Sequence, residues 1–159
     1  MNDTSEARLD QVHPILASKI RQMAQQLESE GISIVVVQGL RTIAQQDALY
    51  AQGRTAPGRI VTNAPGGHSW HNFGLAVDCA PELGNVLDWN ASHPQWKTME
   101  ATGEGFGLTS GATWTRLVDA PHFQLTGRWP QGAPPDEVRV LFAGGGLEAV
   151  WEKLELAPS

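Results

Sequence analysis

Four side chains in two short segments have the types that a catalytic metal site requires. His71 and Asp78 lie in the first segment, and Asp119 and His122 lie three residues apart in the second. Two imidazoles and one carboxylate can hold a zinc ion while a fourth position stays open for water, which is the arrangement of catalytic zinc sites. The remaining carboxylate is then free to act as a base. These residues predict a hydrolytic metal centre.

The spacing of His71 and Asp78 requires a particular local structure. Apolar residues alternate with small ones over 73–77, which favours a strand there. On a straight strand, two residues an odd number of positions apart point to opposite faces. The two side chains can therefore converge only if His71 lies on the loop that enters the strand, or if a bulge near Gly74 shifts the alternation.

The hydrophobic pattern predicts the elements that position these segments. Apolar residues at steps of three or four predict a first helix over residues 10–30, and a β-branched run predicts a strand over 32–37. Residues 53–68 are rich in Gly, Pro and Asn and predict an irregular loop. The other expected elements are helices at 43–52, 92–103 (capped by Ser92), 136–143 and 147–154, and a strand at 122–125. Helices and short strands without regular alternation indicate an α+β fold.

The composition indicates one folded domain over residues 1–159, with no second module. Hydrophobic residues make up 41% of the chain, so it can bury a core. The formal charge of −6 argues against a nucleic-acid-binding surface. No apolar run approaches the roughly 18 residues of a membrane span, and the polar, acidic start differs from a signal peptide. We therefore expect no membrane insertion, and synthesis in the cytoplasm without a signal peptide.

The segment from Ser69 to Asp78 fits the pattern Ser-x-His-x-x-Gly-x-Ala-x-Asp at every fixed position. It resembles the motif of the LAS zinc peptidases, which cut peptidoglycan peptides and include D-alanyl-D-alanine carboxypeptidases, dipeptidases and phage L-alanyl-D-glutamate endopeptidases. The runs 39–42 and 53–55 (Gly-Leu-Arg-Thr and Gly-Arg-Thr) are similar to the upstream signature of the endopeptidase and endolysin branch. Asp-x-Pro-His-Phe at 119–123 resembles its C-terminal motif. The similarity extends from about Leu9 to Leu125.

The resemblance implies roles for individual residues. The ligands of one Zn²⁺ would be His71, Asp78 and His122. Asp119 would be the general base, and Arg41 would lie near the scissile carbonyl. Two further substrate contacts are expected: Ser69, by resemblance, and Trp114, which flanks the motifs and either walls the cleft or packs in the core. The implied fold is small and α+β, with an antiparallel sheet carrying the zinc site and flanking helices, as in hedgehog domains and D-Ala-D-Ala peptidases.

Two features depart from the family pattern. His68 stands where Gln or another polar residue is expected, and we interpret it as a rim residue rather than a ligand. In the run 107–114, Ser110, Ala112 and Thr113 replace the Trp, Gly and Asp of a family segment. These replacements concern substrate recognition and leave the expected metal ligands unchanged.

Three functional hypotheses follow from the sequence. The first is a zinc metallopeptidase that hydrolyses the L-Ala–D-Glu bond of peptidoglycan stems, as an endolysin or a wall-remodelling enzyme. The second is a D-Ala-D-Ala carboxypeptidase on the same scaffold. The third is a non-catalytic binding module that retains the zinc site, although such a module has no need of a base at Asp119. In the first two cases we expect a monomer, without a separate wall-binding domain, that acts on the cell wall after release.

Overall fold

The computed structural model describes residues 1–115 and 118–155, in which α-helices accompany an antiparallel sheet. The helices are α1 (Asp3–Leu9), α2 (Pro14–Ser29), α3 (Ile43–Ala51), α4 (Pro94–Gly105) and α5 (Asp136–Trp151). The strands are β1 (Ser33–Gln38), β2 (Ala76–Leu83), β3 (Val86–Leu87), β4 (Thr109–Ser110) and β5 (His122–Gln124). Short 3₁₀ turns occupy Trp70–Phe73 and Gly111–Thr113. The α+β prediction is confirmed.

The N-terminal region differs from the single helix expected over residues 10–30. It forms two helices, and α2 begins at Pro14, whose fixed φ suits the first helical position. The side chain of His13 caps this helix, because its Nδ1 accepts a hydrogen bond from the backbone N–H of Ile15 at 3.2 Å. Burial lowers the pKa of His13, in keeping with a neutral capping imidazole. The short helix α1 carried no periodic signal and was not expected.

Two other predicted boundaries are wrong for local reasons. The strand expected from Phe73 begins only at Ala76, because the chain first makes a 3₁₀ turn. Helix α4 begins at Pro94 after His93, so Ser92 is not its cap. By contrast, the break expected at the C-terminal glycines is confirmed: Gly145 and Gly146 have non-helical backbone, which separates two helical stretches within Asp136–Trp151.

The sheet has the strand order β1-β2-β5-β4, and β3 pairs with β2. All of its pairings are antiparallel. Helix α1 covers part of the outer edge of β1: the backbone N–H of Val36 donates to Ser5 Oγ at 3.0 Å, and Arg8 Nη1 donates to the Val36 carbonyl at 2.6 Å. These bonds satisfy main-chain groups that an open sheet edge would leave unpaired.

Contacts between Cα atoms group the chain into two compact units. One comprises Met1–Gly39 and Ala76–Leu125 and contains the whole sheet. Its core includes the apolar face of α2, with Leu16, Ile20 and Met23 fully buried beside residues of the sheet. This burial accounts for the recurrence of apolar residues at steps of three or four along α2.

The other unit comprises Leu40–Leu75 and the chain from Thr126 onwards. Its core is aromatic: Trp70 lies 6.0 Å from Trp129 and Phe73 lies 5.4 Å from Phe142, measured between ring centroids. No helix within the described ranges is both long and apolar enough to cross a membrane.

Candidate metal centre

The pairing of β2 with β5 places two of the predicted metal ligands side by side. Asp78 lies directly opposite His122 in the antiparallel register. Directly opposed residues project from the same face of a sheet, with their Cβ atoms about 4.5–5.5 Å apart. His122 Nδ1 accordingly lies 3.3 Å from Asp78 Oδ1. No local pattern predicts this register, because the two residues are far apart in the chain.

His71 lies on the 3₁₀ turn that precedes β2, which is one of the two arrangements that its spacing from Asp78 allows. Gly74 ends this turn in the left-handed conformation with φ +64°, a region that favours glycine. The His71 carbonyl accepts a hydrogen bond from the backbone N–H of Arg41 at 3.0 Å. The adjacent Asn72, buried to 2% exposure, donates to the Arg41 carbonyl at 2.9 Å. This turn is therefore held in place by main-chain and amide hydrogen bonds.

The three expected ligands are brought together. His71, Asp78 and His122 each offer one ligand atom, and these atoms lie within 4.8 Å of one another. Both histidines are buried and Asp78 is half-buried. His68, the alternative histidine of the first motif, is half-buried and is not a member of this group. The described part of the chain thus contains a His–Asp–His group that could bind a metal.

The charge state of His122 is set by opposing influences. Burial lowers the pKa of His122, but the hydrogen bond and negative charge of Asp78 raise it, as do a hydrogen bond with Gln124 and the charge of Asp119. The net effect is a pKa above the ordinary value of histidine. The carboxylates around this imidazole therefore favour a positive charge at the site. A metal ion can supply that charge in place of the proton.

Asp119 lies in a turn that leads into β5. Its carbonyl accepts a hydrogen bond from the backbone N–H of His122 at 3.1 Å, and its own N–H donates to the Gly111 carbonyl at 3.0 Å. A Cβ atom at Gly111 would lie 2.5 Å from the Asp119 carbonyl oxygen and 2.9 Å from His122 Cβ. Only glycine allows the backbone at position 111 to approach Asp119 and His122 this closely.

The run with the three replaced family residues lies beside His122. The Trp114 ring is half-buried, and its centroid lies 4.9 Å from that of His122. Ser110 is fully buried, and its hydroxyl accepts a hydrogen bond from the Ala112 N–H at 3.2 Å. Ser110 therefore supports the local 3₁₀ turn, whereas a tryptophan at that position would need a different packing arrangement.

Arg41 is half-buried, and a buried amide orients its guanidinium group. Arg41 Nη1 donates to Gln46 Oε1 at 2.8 Å, and Gln46 Nε2 donates to the Ala64 carbonyl at 2.8 Å. Gln46 is fully buried, which makes this arrangement costly to disturb. Ser69, the other expected substrate contact, is half-buried and immediately precedes the 3₁₀ turn that carries His71.

The thiol beside Asp78 takes no part in the group. Cys79 is fully buried on β2, as expected of a lone structural cysteine. Burial raises the pKa of the Cys79 thiol, and the charge of Asp78 raises it further. The thiolate that would bind a metal is therefore strongly disfavoured.

Three buried amides near the predicted residues were given no role from the sequence, although Gln46 belongs to the region that resembles the upstream signature of the endopeptidase branch. Gln124 contacts His122, Asn72 ties the His71 turn to the Arg41 carbonyl, and Gln46 orients Arg41. Each lies within five residues of a predicted site residue, so polar residues that flank a motif were the available signal. Nothing in the local pattern predicted that they would be buried.

Comparison with known proteins shows which family the chain resembles. The family model "VanY: D-alanyl-D-alanine carboxypeptidase" matches residues 9–127. The peptidoglycan L-alanyl-D-glutamate endopeptidase CwlK of Bacillus subtilis (strain 168) is 33% identical over 72% of this chain and 73% of its own length. The L-alanyl-D-glutamate peptidase of Escherichia phage T5 is 33% identical over 72% of this chain and 81% of its own.

A solved structure shows the same fold. The L-Ala D-Glu endopeptidase ChiX of Serratia marcescens superposes with a TM-score of 0.60 at 26% identity, covering 79% of this chain and 89% of that one. The matched region contains both segments of the His–Asp–His group and the turn that carries Asp119. The chain therefore belongs to the VanY family of D-alanyl-D-alanine carboxypeptidases.

Proposed function

We propose that this protein is a zinc metallopeptidase that hydrolyses the L-Ala–D-Glu bond in the stem peptides of bacterial peptidoglycan. The observation that carries the proposal is the convergence of His71, Asp78 and His122. Asp119 lies close by, because its carbonyl accepts a hydrogen bond from the backbone N–H of His122. The names of CwlK, the phage T5 peptidase and ChiX all specify this bond, which supports an endopeptidase over the carboxypeptidase of the family's description.

The donor set fits zinc. Two imidazole nitrogens and one carboxylate oxygen are the ligands of many catalytic zinc sites, where the fourth position is open. We propose His71, Asp78 and His122 as these ligands. Zinc held there would supply Lewis-acid chemistry and lower the pKa of water toward about 7. The buried strands β2 and β5 would keep two of the ligands in fixed positions during turnover.

Asp119 is the proposed general base. It would accept a proton from the attacking water and then deliver that proton to the amine of the leaving group. Its carboxylate contributes to the raised pKa of His122, so its charge acts on the same group of residues. No serine or cysteine nucleophile is required, and the buried Cys79 is unsuited to that role.

Arg41, Ser69 and Trp114 are proposed to bind the substrate. The Arg41 guanidinium would stabilise negative charge that develops on the carbonyl oxygen, and its hydrogen bond to Gln46 fixes its direction beforehand. Trp114, half-buried against His122, would provide an apolar surface for the stem peptide.

The proposal extends to the organisation and location of the protein. We propose that the chain acts as one catalytic domain. It would work as a monomer and act on the wall after release from the cytoplasm. Gel filtration with light scattering tests the monomer directly.

The decisive experiment is digestion of purified peptidoglycan by the zinc-loaded protein, followed by mass spectrometry of the new termini. We expect stem fragments with an N-terminal D-Glu and glycan-linked peptides that end in L-Ala. Asp119→Asn serves as the matched control, because it removes the base and leaves the three ligands in place.

The same experiment separates the alternatives. Release of free D-Ala from pentapeptide stems, with the L-Ala–D-Glu bond intact, would assign the carboxypeptidase activity of the family description. Binding of peptidoglycan by the zinc-loaded protein with neither bond cut would assign a non-catalytic binding module.

A further inference from the structure

We propose that Gln124 is a positioning residue for the metal centre, which selects Nδ1 of His122 as the nitrogen that meets the metal. This inference rests on the metal site of the proposed function. It concerns a residue of β5 that the motif does not include, since the resemblance ends its ligand set at His122.

The side chains of Gln124 and His122 form a buried hydrogen bond. Gln124 Oε1 lies 2.9 Å from His122 Nε2, and the two residues are 1% and 5% exposed. Residues two apart on a strand project from the same face of a sheet, so both side chains lie on one side of β5. Ala76 lies opposite Gln124 in the β2–β5 register, and its small side chain leaves room for the amide.

The amide oxygen determines which ring nitrogen carries hydrogen. A carboxamide oxygen can only accept a hydrogen bond, so Nε2 of His122 must donate one. A neutral imidazole has one N–H, and the lone pair then lies on Nδ1. The opposite tautomer would place two acceptors face to face in a buried site, where an unsatisfied polar group is expensive.

The other ring nitrogen lies beside a proposed ligand. His122 Nδ1 lies 3.3 Å from Asp78 Oδ1, which is the carboxylate proposed as a ligand. With zinc bound, Gln124 would hold the ring so that the Nδ1 lone pair points to the metal ion that Asp78 also binds. Partners of this type that hydrogen-bond the second nitrogen of a ligating histidine are typically worth 10–100-fold in metal affinity.

The first test is the tautomer of His122 in the zinc-loaded wild-type protein near neutral pH. Long-range ¹H–¹⁵N correlation spectra distinguish a protonated Nε2 from a protonated Nδ1. We expect hydrogen on Nε2 of His122. Hydrogen on Nδ1 would overturn the proposal, because the amide would then be donating its NH₂ group to Nε2.

The second test is zinc affinity, measured by competition with a chromogenic chelator. Gln124→Met keeps the length of the side chain and removes the acceptor, and we expect the Kd for zinc to rise 10–100-fold. Gln124→Glu restores an acceptor and should keep the Kd within a few-fold of wild type. An unchanged Kd in Gln124→Met would contradict the proposal.

A neighbouring variant separates positioning from general loss of stability. Phe123→Leu alters the fully buried residue between His122 and Gln124 and leaves the amide intact. It should lower the melting temperature without changing the tautomer of His122. None of these readouts uses turnover, so a protein that behaves as described but cuts no peptidoglycan would contradict the proposed function and leave this inference intact.

Discussion

The β2–β5 pair and the segment from Gly107 to Thr115 are held in place by different kinds of interaction. Asp78 and His122 are paired across a sheet, in a register fixed by hydrogen bonds between strands. The segment from 107 contains only a two-residue strand and a 3₁₀ turn, and side chains such as Ser110 and Thr113 bond to their own neighbours.

This difference explains where the sequence departs from its family. A change at Asp78 or His122 would remove a proposed metal ligand, and the sheet offers no substitute. A change at Ala112 or Thr113 alters a locally stabilised turn outside the strands, whereas Ser110 belongs to both this turn and the end of β4. We therefore expect the sheet to fix two of the three proposed ligands, whereas substrate recognition can vary in the segment beside them. Five predictions test this view.

Asp78→Ala should have the largest effect. It removes a proposed ligand, so zinc content should fall from about one per chain to near zero, and activity should fall at least about a thousandfold because the charge of the metal is worth several kcal/mol. Zinc content is measured by elemental analysis after gel filtration. Glu82→Ala, at another carboxylate of β2, should keep both metal and activity. A fully active Asp78→Ala protein would remove Asp78 from the ligand set.

Asp119→Asn should leave metal binding intact and lower the rate roughly 10²–10⁴-fold, which is the usual contribution of general acid–base catalysis. The measurements are kcat on a stem tetrapeptide and zinc content of the same sample. Loss of zinc together with activity would instead make Asp119 part of the ligand set. A near-normal kcat would show that another group takes the proton.

Acid should weaken zinc binding through His122. In the metal-free protein its raised pKa means that a proton occupies the imidazole at a higher pH than in a free histidine. Below that pKa, zinc must displace this proton, so affinity should fall about tenfold per pH unit. Chelator competition between pH 5.5 and 8.5 measures the effect, and an affinity that stays flat down to pH 6.5 would contradict it.

The free energy of unfolding of the metal-free protein should decrease as the pH rises, whereas zinc affinity increases. A raised folded-state pKa stabilises the protein fully below the ordinary pKa of histidine, and this stabilisation is lost as the pH rises through the folded-state value. Urea unfolding of the metal-free protein, compared with His122→Gln, isolates this contribution.

Trp114→Ala should have the smallest effect, because it acts on recognition alone. The contact of an aromatic ring with its neighbours is worth about 0.5–1.5 kcal/mol, so kcat/KM should fall roughly 2- to 10-fold with zinc content unchanged. Trp114→Phe should recover part of the loss. A drop as large as that of Asp119→Asn would show that recognition and chemistry are not separable in this molecule.

The sequence predicted the ligand types and most helices, because both are local properties. The periodicity of α2 reflects one buried face, and the motif gave the identities of His71, Asp78 and His122 through resemblance. The start of β2 was wrong because alternation over 73–77 looks like a strand, whereas Gly74 adopts a left-handed conformation that ends a 3₁₀ turn.

The register and the supporting amides lay beyond the sequence for a different reason. That Asp78 lies opposite His122 depends on pairing between segments distant in the chain, which no local pattern specifies. Gln124 and Asn72 are buried only because these pairings and turns enclose them. Polar residues of this kind look like surface positions until the fold is known.

The close approach at Gly111 constrains how the enzyme can be redesigned. Any side chain there would collide with the Asp119 carbonyl and with His122 Cβ. A library that randomises residues 107–115 to obtain new substrate preferences should therefore leave Gly111 unchanged. New specificities can therefore be sought on either side of Gly111, whereas a substitution at Gly111 itself would displace the proposed base, the neighbouring proposed ligand, or both.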